Sequence, residues 1–466
     1  MSPKKRGARS ELMLNGPLYK VIWILSAPLI INNFIMTFYN IADGLYVAQL
    51  SSTAFAATSF VWPVLYLFIS IGFGLSIAGT SILSQLLGGK HFDWADRYGS
   101  QLVMISTALG IVFCVIGYGI SPFVVRWMGA TGEFYHLSNL YLRINFIGIT
   151  FDMVFFACQS ILNAQGNTKT PTIISVMTSI LNIILDPFLI FGGFTLLNFH
   201  FPGLDMGIGG AAIATILSKL LAMILGLFAL FFRSEDIKIR LCHFTPQKEI
   251  IRHIFKTGIP TSIGQSGAAF GFIVLNGFVQ SYGTDTLAAY AMVNRVTQLM
   301  TQPAMGFGGA LTSIVGQNFG AKQLSRAKKA FQKTSYIVIG ASFIGSLLIF
   351  FFREPLLHLF IKEKDNLLLI QQATEYMNYS IFIIFFMGMF SVYQGLFQGL
   401  GYMKYSMYMS LLRLWLVRIP LIVLFKNFTD LGATGIWISM LVSNVFVIAY
   451  AHWLYERPNF KIHQYQ

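Results

Sequence analysis

Two aspartates sit where apolar chain is expected. Asp43 and Asp186 lie inside long hydrophobic runs, and each has polar company nearby: Tyr39 and Asn40 precede Asp43, and Asn182 precedes Asp186 by four residues. Spacings of three and four bring side chains onto one side of a helix. Pro187 follows Asp186 directly. It has no N–H and its ring crowds the preceding turn, so the Ile183 carbonyl should be left free and the helix should hinge there. A carboxylate, an amide oxygen and a freed carbonyl together suit a hard cation such as Na⁺, or a proton relay. An aspartate at the centre of a membrane span costs about 2.5 kcal/mol or more, which makes intramembrane acids candidates for function before structure.

Other polar residues are candidates of lower rank. Thr215 ends a Gly-Gly-Ala-Ala-Ile-Ala run, and its hydroxyl could serve a cation. Asp152 should lie roughly 10 Å nearer the membrane centre than the other two acids. It would either line a cavity or pair with a basic residue such as Arg143. Asn163 and Gln159 would line a cavity or make interhelical hydrogen bonds.

The elements that must position these groups follow from composition. The chain has 466 residues, 55% hydrophobic and 11% charged, where a soluble protein carries about 25% charged residues. About twelve apolar runs exceed the roughly 20 residues that a helix needs to cross hydrocarbon. The expectation is an all-α integral membrane protein of about twelve transmembrane helices in two parallel six-helix bundles with pseudo-two-fold symmetry. Residues 1–19 form a cytoplasmic N-terminal segment, 20–232 the first bundle, 233–253 a cytoplasmic linker, 254–455 the second bundle, and 456–466 a cytoplasmic tail.

The pairing of bundles rests on an internal repeat. At an offset of 232, Pro28 falls on Pro260, Val47 on Val279, Gly74 on Gly306, Gln85 on Gln317 and Lys90 on Lys322. At 235, Gln159 meets Gln394, Gly166 meets Gly401 and Lys169 meets Lys404. Six spans per half make the repeats parallel. The acids break the repeat, because Asp43 falls on Leu275 and Asp186 on Leu421, or on Ile419 if Pro187 is set on Pro420. The chemistry is therefore expected in the first bundle. Gly88 and Gly89 before Lys90 are expected to end the second span, glycine tolerating positive φ.

The net charge of +14 is a matter of topology rather than of nucleic-acid binding. With the N-terminus inside, 22 Lys and Arg fall on inside segments and 5 on outside loops. That bias places both termini in the cytoplasm of a cell held by its plasma membrane. Arg143, Lys219, Arg295, Arg413 and Arg418 fall within spans or near their ends and are expected to snorkel or to pair between helices. Cys114, Cys158 and Cys242 have no metal or redox spacing, and no phosphate-cradling loop is present. No cofactor is expected beyond a coupling ion, and the partners are small organic molecules and the bilayer, with a monomer as the expected state. An intramembrane enzyme would need a nucleophile–base or metal constellation, and none is visible.

The motifs Leu25-Ser26-Ala27-Pro28, Asn40-Ile41-Ala42-Asp43-Gly44, Gln165-Gly166-Asn167-Thr168-Lys169 and Asn182-Ile183-Ile184-Leu185-Asp186-Pro187 resemble those of multidrug and toxic compound extrusion (MATE) transporters over essentially the whole chain. The resemblance implies a secondary antiporter that exchanges H⁺ or Na⁺ for organic, mainly cationic, compounds by alternating access. An aspartate in the first helix resembles the branch with its cation site in the N-terminal bundle, where Tyr39, Asp43, Asn182 and Asp186 match, and Thr215 matches less closely in spacing. The alternative within the same superfamily is a lipid-linked oligosaccharide flippase. Such a protein would need cationic cavity residues for pyrophosphate, whereas two buried acids favour a cationic cargo.

Overall fold

A computed structural model describes residues 7–196, 199–360, 367–457 and 460. Lys4, Lys5, Arg6, Lys362, Lys364 and Lys461, counted above in the charge bias, lie outside the described residues. A short helix α1 (Ala8–Asn15) precedes the long ones: α2 (Leu18–Leu50), α3 (Ser52–Gly88), α4 (Phe92–Trp127), α5 (Gly132–Ala164) and α6 (Lys169–Ile190). A hairpin of β1 (Gly193–Leu196) and β2 (Phe199–Pro202) leads into α7 (Gly207–Arg233). The second half holds α8 (Lys248–Gln280), α9 (Thr284–Gly320), α10 (Leu324–Phe360) and α11 (Leu367–Gly399). One further span runs as α12 (Met403–Leu411), a π-helical segment Leu412–Arg418 and α13 (Ile419–Phe428), and α14 (Thr434–Tyr455) ends the fold. Among the described residues, 11 helical spans are long and apolar enough to cross a membrane. The twelfth is α9, which carries Asn294, Arg295, Gln298 and Gln302 along its length.

Contacts divide the chain into two compact units, and the division does not follow chain order. One unit is residues 1–10 and Ile31–Ser262, the other Glu11–Ile30 and Ile263–Gln466. The first part of α2 thus packs with the second unit, and the first part of α8 with the first. Both exchanges occur two residues beyond an intrahelical proline, Pro28 in α2 and Pro260 in α8. Each exchange point is fitted against a glycine: a Cβ on Gly74 would overlap the backbone of Ser262, and one on Gly306 would crowd Ile30. These are the same contact at the 232-residue offset.

Each unit has two apolar cores at repeat-equivalent positions. Leu75, Ile82 and Leu83 anchor one core of the first unit, and Phe307, Ile314 and Val315 its counterpart in the second. Val47, Ala57 and Val61 match Val279, Ala289 and Val293 in the other pair of cores. Helix ends repeat as well. After α3 the N–H groups of Lys90 and His91 donate to the carbonyls of Leu87 and Leu86, and after α9 those of Lys322 and Gln323 donate to Phe319 and Asn318. This is the Schellman pattern, but its left-handed residue is lysine: Lys90 and Lys322 each have φ of 60°. The glycine expected to supply positive φ stays at −75° at Gly89. At the 235 offset the same motif does use glycine, at Gly166 and Gly401 with φ of 74° and 81°.

Two loop structures position the first unit. The residues after the hairpin, Leu204 to Met206, tie α6 to α7. The N–H groups of Leu204, Asp205 and Met206 donate to the carbonyls of Phe188, Phe191 and Leu189, satisfying the C-terminal end of α6. The linker after α7 is held by buried polar residues. Gln165 Oε1 accepts from Ser234 Oγ and from the N–H groups of Asp236 and Ile237, and Asp96 accepts from Lys238 N–H at 2.8 Å.

The exchange contact generates a prediction. Gly74→Ala must displace the backbone at Ser262, so it should destabilise the protein by about 1–3 kcal/mol. Gly340, in α10, has no atom near the position of its missing Cβ. Thermal unfolding in detergent should therefore show a lower midpoint for Gly74→Ala and none for Gly340→Ala.

Candidate functional site

The first unit gathers the expected site residues from four helices. Tyr39 and Asp43 come from α2, Asn182 and Asp186 from α6, Thr215 from α7, and Tyr141, which the sequence reading missed, from α5. Asn182 and Asp186 are 1% and 0% exposed. Their i, i+4 spacing on one continuous helix lets the Asn182 amide reach its neighbour: Nδ2 donates to Asp186 Oδ2 at 3.1 Å, and Oδ1 accepts from the Thr215 N–H at 3.0 Å. These partners assign the amide orientation. Thr215 Oγ1 donates to the Ala211 carbonyl at 3.0 Å. The Tyr39 side chain also interacts with that of Thr215. Tyr39, Thr215, Asn182 and Asp186 form one connected chain.

Each aspartate keeps an oxygen in reserve. Asp43 Oδ1 and Asp186 Oδ1 are buried without a hydrogen-bond partner among the described residues. The two carboxylates lie in each other's field, and both act on Tyr39 and Tyr141. A buried acceptor left unmade costs about 1–3 kcal/mol, more when charged. Two such oxygens fit a monovalent cation or a proton shared between them. No group of three or more His, Cys, Asp or Glu that could hold a metal ion occurs among the described residues, so a Na⁺ here would draw on carboxylate and neutral oxygens together.

Asp152 is drawn into an ion pair, and its partner is Lys219 on α7 at 2.7 Å rather than Arg143. Arg143 lies over the Tyr118 ring at 4.9 Å. Lys219 also acts electrostatically on Asp43. Three carboxylates against one ammonium leave a formal charge of about −2 when all are ionised, which one or two monovalent cations would neutralise. The remaining candidates fall outside this set. Asn40 is exposed, Gln159 is half-buried, and Asn163 Oδ1 is buried without a partner near the end of α5. Pro187 is buried within α6, which continues to Ile190. A signal for Tyr141 was present in the sequence: it falls on Tyr376 at the 235 offset, and both are buried tyrosines.

The ion pair yields a test. Asp152→Asn or Lys219→Met alone strands its partner and should cost about 3–5 kcal/mol, while the double variant should regain most of that loss. Unfolding midpoints of the four proteins give the coupling directly.

The comparisons agree with this architecture. Among curated relatives, a probable multidrug resistance protein of Bacillus subtilis, YpnP, is 28% identical over 449 residues, covering 95% of this chain and 96% of that one. The multidrug export protein MepA of Staphylococcus aureus is 26% identical over 431 residues, covering 92% and 91%. A crystal structure of MATE in complex with MaL6 superposes with a TM-score of 0.89 at 24% identity, covering 96% of this chain and 97% of that one. An outward-facing multidrug resistance MATE family transporter of the MOP superfamily gives 0.88 at 24%, covering 97% and 98%. The profile of the MatE family matches residues 28–188 and 260–424, one segment in each half of the repeat. The chain therefore belongs to the MatE family, the multidrug and toxic compound extrusion transporters, and is a transporter rather than an enzyme.

Proposed function

We propose that this chain is a secondary multidrug antiporter of the plasma membrane, with both termini cytoplasmic, which expels organic cations in exchange for H⁺ or Na⁺ bound at Asp43 and Asp186. The observation that carries the reading is the pair of buried carboxylate oxygens without partners among the described residues, on two aspartates that act on one another electrostatically. A group ionised and unpaired there is costly, so cation occupancy has a large effect on the energy of this unit. Asn182 and Thr215 hold Asp186 in position, and Tyr39 ties α2 to that chain. Occupancy at the aspartates and the tilt of α6 beyond Pro187 are then linked. A cation and a drug that favour opposite arrangements weaken each other by equal factors. A membrane potential supplies about 2.3 kcal/mol per charge per 100 mV, and one pH unit about 1.4 kcal/mol per proton, so no ATP is required. The names of the curated relatives, multidrug resistance and multidrug export proteins, support drug export.

Efflux of rhodamine 6G from proteoliposomes, with Na⁺ and H⁺ gradients imposed separately, tests the reading. Asp43→Asn and Asp186→Asn should each abolish gradient-driven efflux, a loss of roughly a hundredfold or more if one ionised group is essential, at unchanged abundance and monodispersity. Leu275→Ala, at the repeat position of Asp43 in a core of the second unit, should cost about 2–5 kcal/mol of stability without changing which ion drives transport. Full efflux by either asparagine variant removes that aspartate from the mechanism. An altered ion requirement in Leu275→Ala brings the second unit into coupling.

A further inference from the structure

The second unit buries charge of the opposite sign. Arg413 and Arg418 are 4% and 2% exposed. They lie roughly 15 and 22 Å along the span that begins at Met403, counted at the helical rise, and they are packed inside the unit rather than snorkelling. No carboxylate pairs with either among the described residues. Arg418 Nε donates to Ser443 Oγ at 3.0 Å. Arg413 sits over the Phe390 ring at 4.4 Å and beside the Met387 sulfur, and its Nε has no partner. The two guanidiniums lie in each other's field and in that of Tyr290. Tyr290 and Tyr376 stack with Trp437, whose indole Nε1 is another buried donor without an acceptor among the described residues. Unpaired donors and two cations, with the nearby Glu375 of α11 engaged by Thr434 instead, describe half of an ion pair.

The place of this cluster in the repeat is specific. Burial on α6 and on α12 matches at the 235 offset through Ile174 and Met409, Ser175 and Ser410, Thr178 and Arg413, and Ser179 and Leu414. The π-helical segment then inserts one residue, and burial resumes with Asn182 on Arg418 and Asp186 on Ile422. The repeat partner of Asp186 is accordingly Ile422, not Leu421 or Ile419. On the neighbouring helices Tyr141 falls on Tyr376 at 235, and, at an offset of 225 that also sets Gly207 on Gly432 and Gly210 on Gly435, Ser218 of α7 falls on Ser443 of α14; all four of these tyrosines and serines are buried. Arg418 therefore stands where the first unit has the amide that holds its aspartate. Widened π segments inside α-helices frequently mark functional sites.

We propose that Arg413 and Arg418 bind the oxyanion group, a carboxylate or phosphate, of an aromatic or acyl amphiphile, giving the second unit an anion site at the repeat-equivalent place of the first unit's cation site. Guanidinium groups present planar donors matched to such oxyanions, and the aromatic rings around them suit an apolar body attached to the charge. The site stands independently of cation coupling at the aspartates.

Two dyes with one cationic skeleton separate the contributions. Rhodamine 19 carries a free carboxylate, and rhodamine 6G is its ethyl ester. Binding is read by fluorescence polarisation on the purified full chain in lipid-free detergent. The unmodified protein should bind the acid at least about tenfold more tightly than the ester, the scale of one charge-assisted hydrogen bond. Arg413→Gln and Arg418→Gln should each remove that preference and leave ester binding within about twofold. Equal affinity of the unmodified protein for acid and ester overturns the proposal, as does a preference that survives both substitutions. If the glutamine variants do not stay folded, Arg413→Lys keeps the charge and loses the planar fork. It should weaken acid binding severalfold with the ester unchanged, and undiminished acid binding in that variant also overturns the site. Displacement of rhodamine 19 by phosphatidylglycerol but not phosphatidylcholine would assign the oxyanion to a lipid phosphate, and no displacement by either would assign it to a carboxylate cargo.

Discussion

A carboxylate inside an apolar bundle has to be held, and what holds Asp186 is the amide of Asn182. One side chain meets Asp186 with its nitrogen and the backbone of α7 with its oxygen. That bridge ties α6 to α7 beside Thr215 and leaves one oxygen of Asp186 without a partner among the described residues. Hydrogen bonds to charged groups contribute about 1.5–3 kcal/mol, comparable to the insertion cost of the acid itself. The unit can thus carry Asp186 but not satisfy it fully. The unsatisfied remainder is what an incoming cation would meet. The loop after the β-hairpin serves the same end, since its donors close the last turn of α6 and hold the start of α7 against it.

The scaffold that presents this site is repeated more faithfully than the site. Proline, exchange point and fitted glycine recur together at 232 residues, so each unit is completed by one half-helix from the other half of the chain. Paired apolar cores recur in the same way. Chemistry is where the halves part. The first unit sets Asp43, Asp152 and Asp186 with Lys219 among its helices, and the second buries two arginines around stacked aromatic rings. Divergence of charge on a conserved pattern of burial means that packing volumes, not polar contacts, carry the symmetry of the fold.

Much of this was legible in the residues. Hydrophobic runs gave the spans because hydrocarbon thickness sets their length, and an apolar surround made Asp43 and Asp186 conspicuous. The repeat gave equivalent helix ends, even though the left-handed residue at two of them proved to be lysine. What could not be read were contacts that depend on rotation about a helix axis. Asp152 has Lys219 rather than Arg143 because α7 turns that lysine toward α5, and no spacing rule spans two helices. Tyr141 had no acid near it in sequence. The partner of Asp186 shifted by one residue because the π segment adds a residue that looks, in sequence, like ordinary helix. The exchange of half-helices was also hidden, since Pro28 and Pro260 announce a bend but not which core the two sides of the bend will join.

The central claim is that cation occupancy of the two aspartates and drug binding compete. The direct measurement is the affinity of the purified transporter for rhodamine 6G, by fluorescence polarisation, across a Na⁺ titration at fixed pH and a pH titration without Na⁺. The account predicts affinity that falls as one of these cations rises, and a dependence that disappears in Asp186→Asn. Affinity that stays flat across both titrations in the unmodified protein would contradict it.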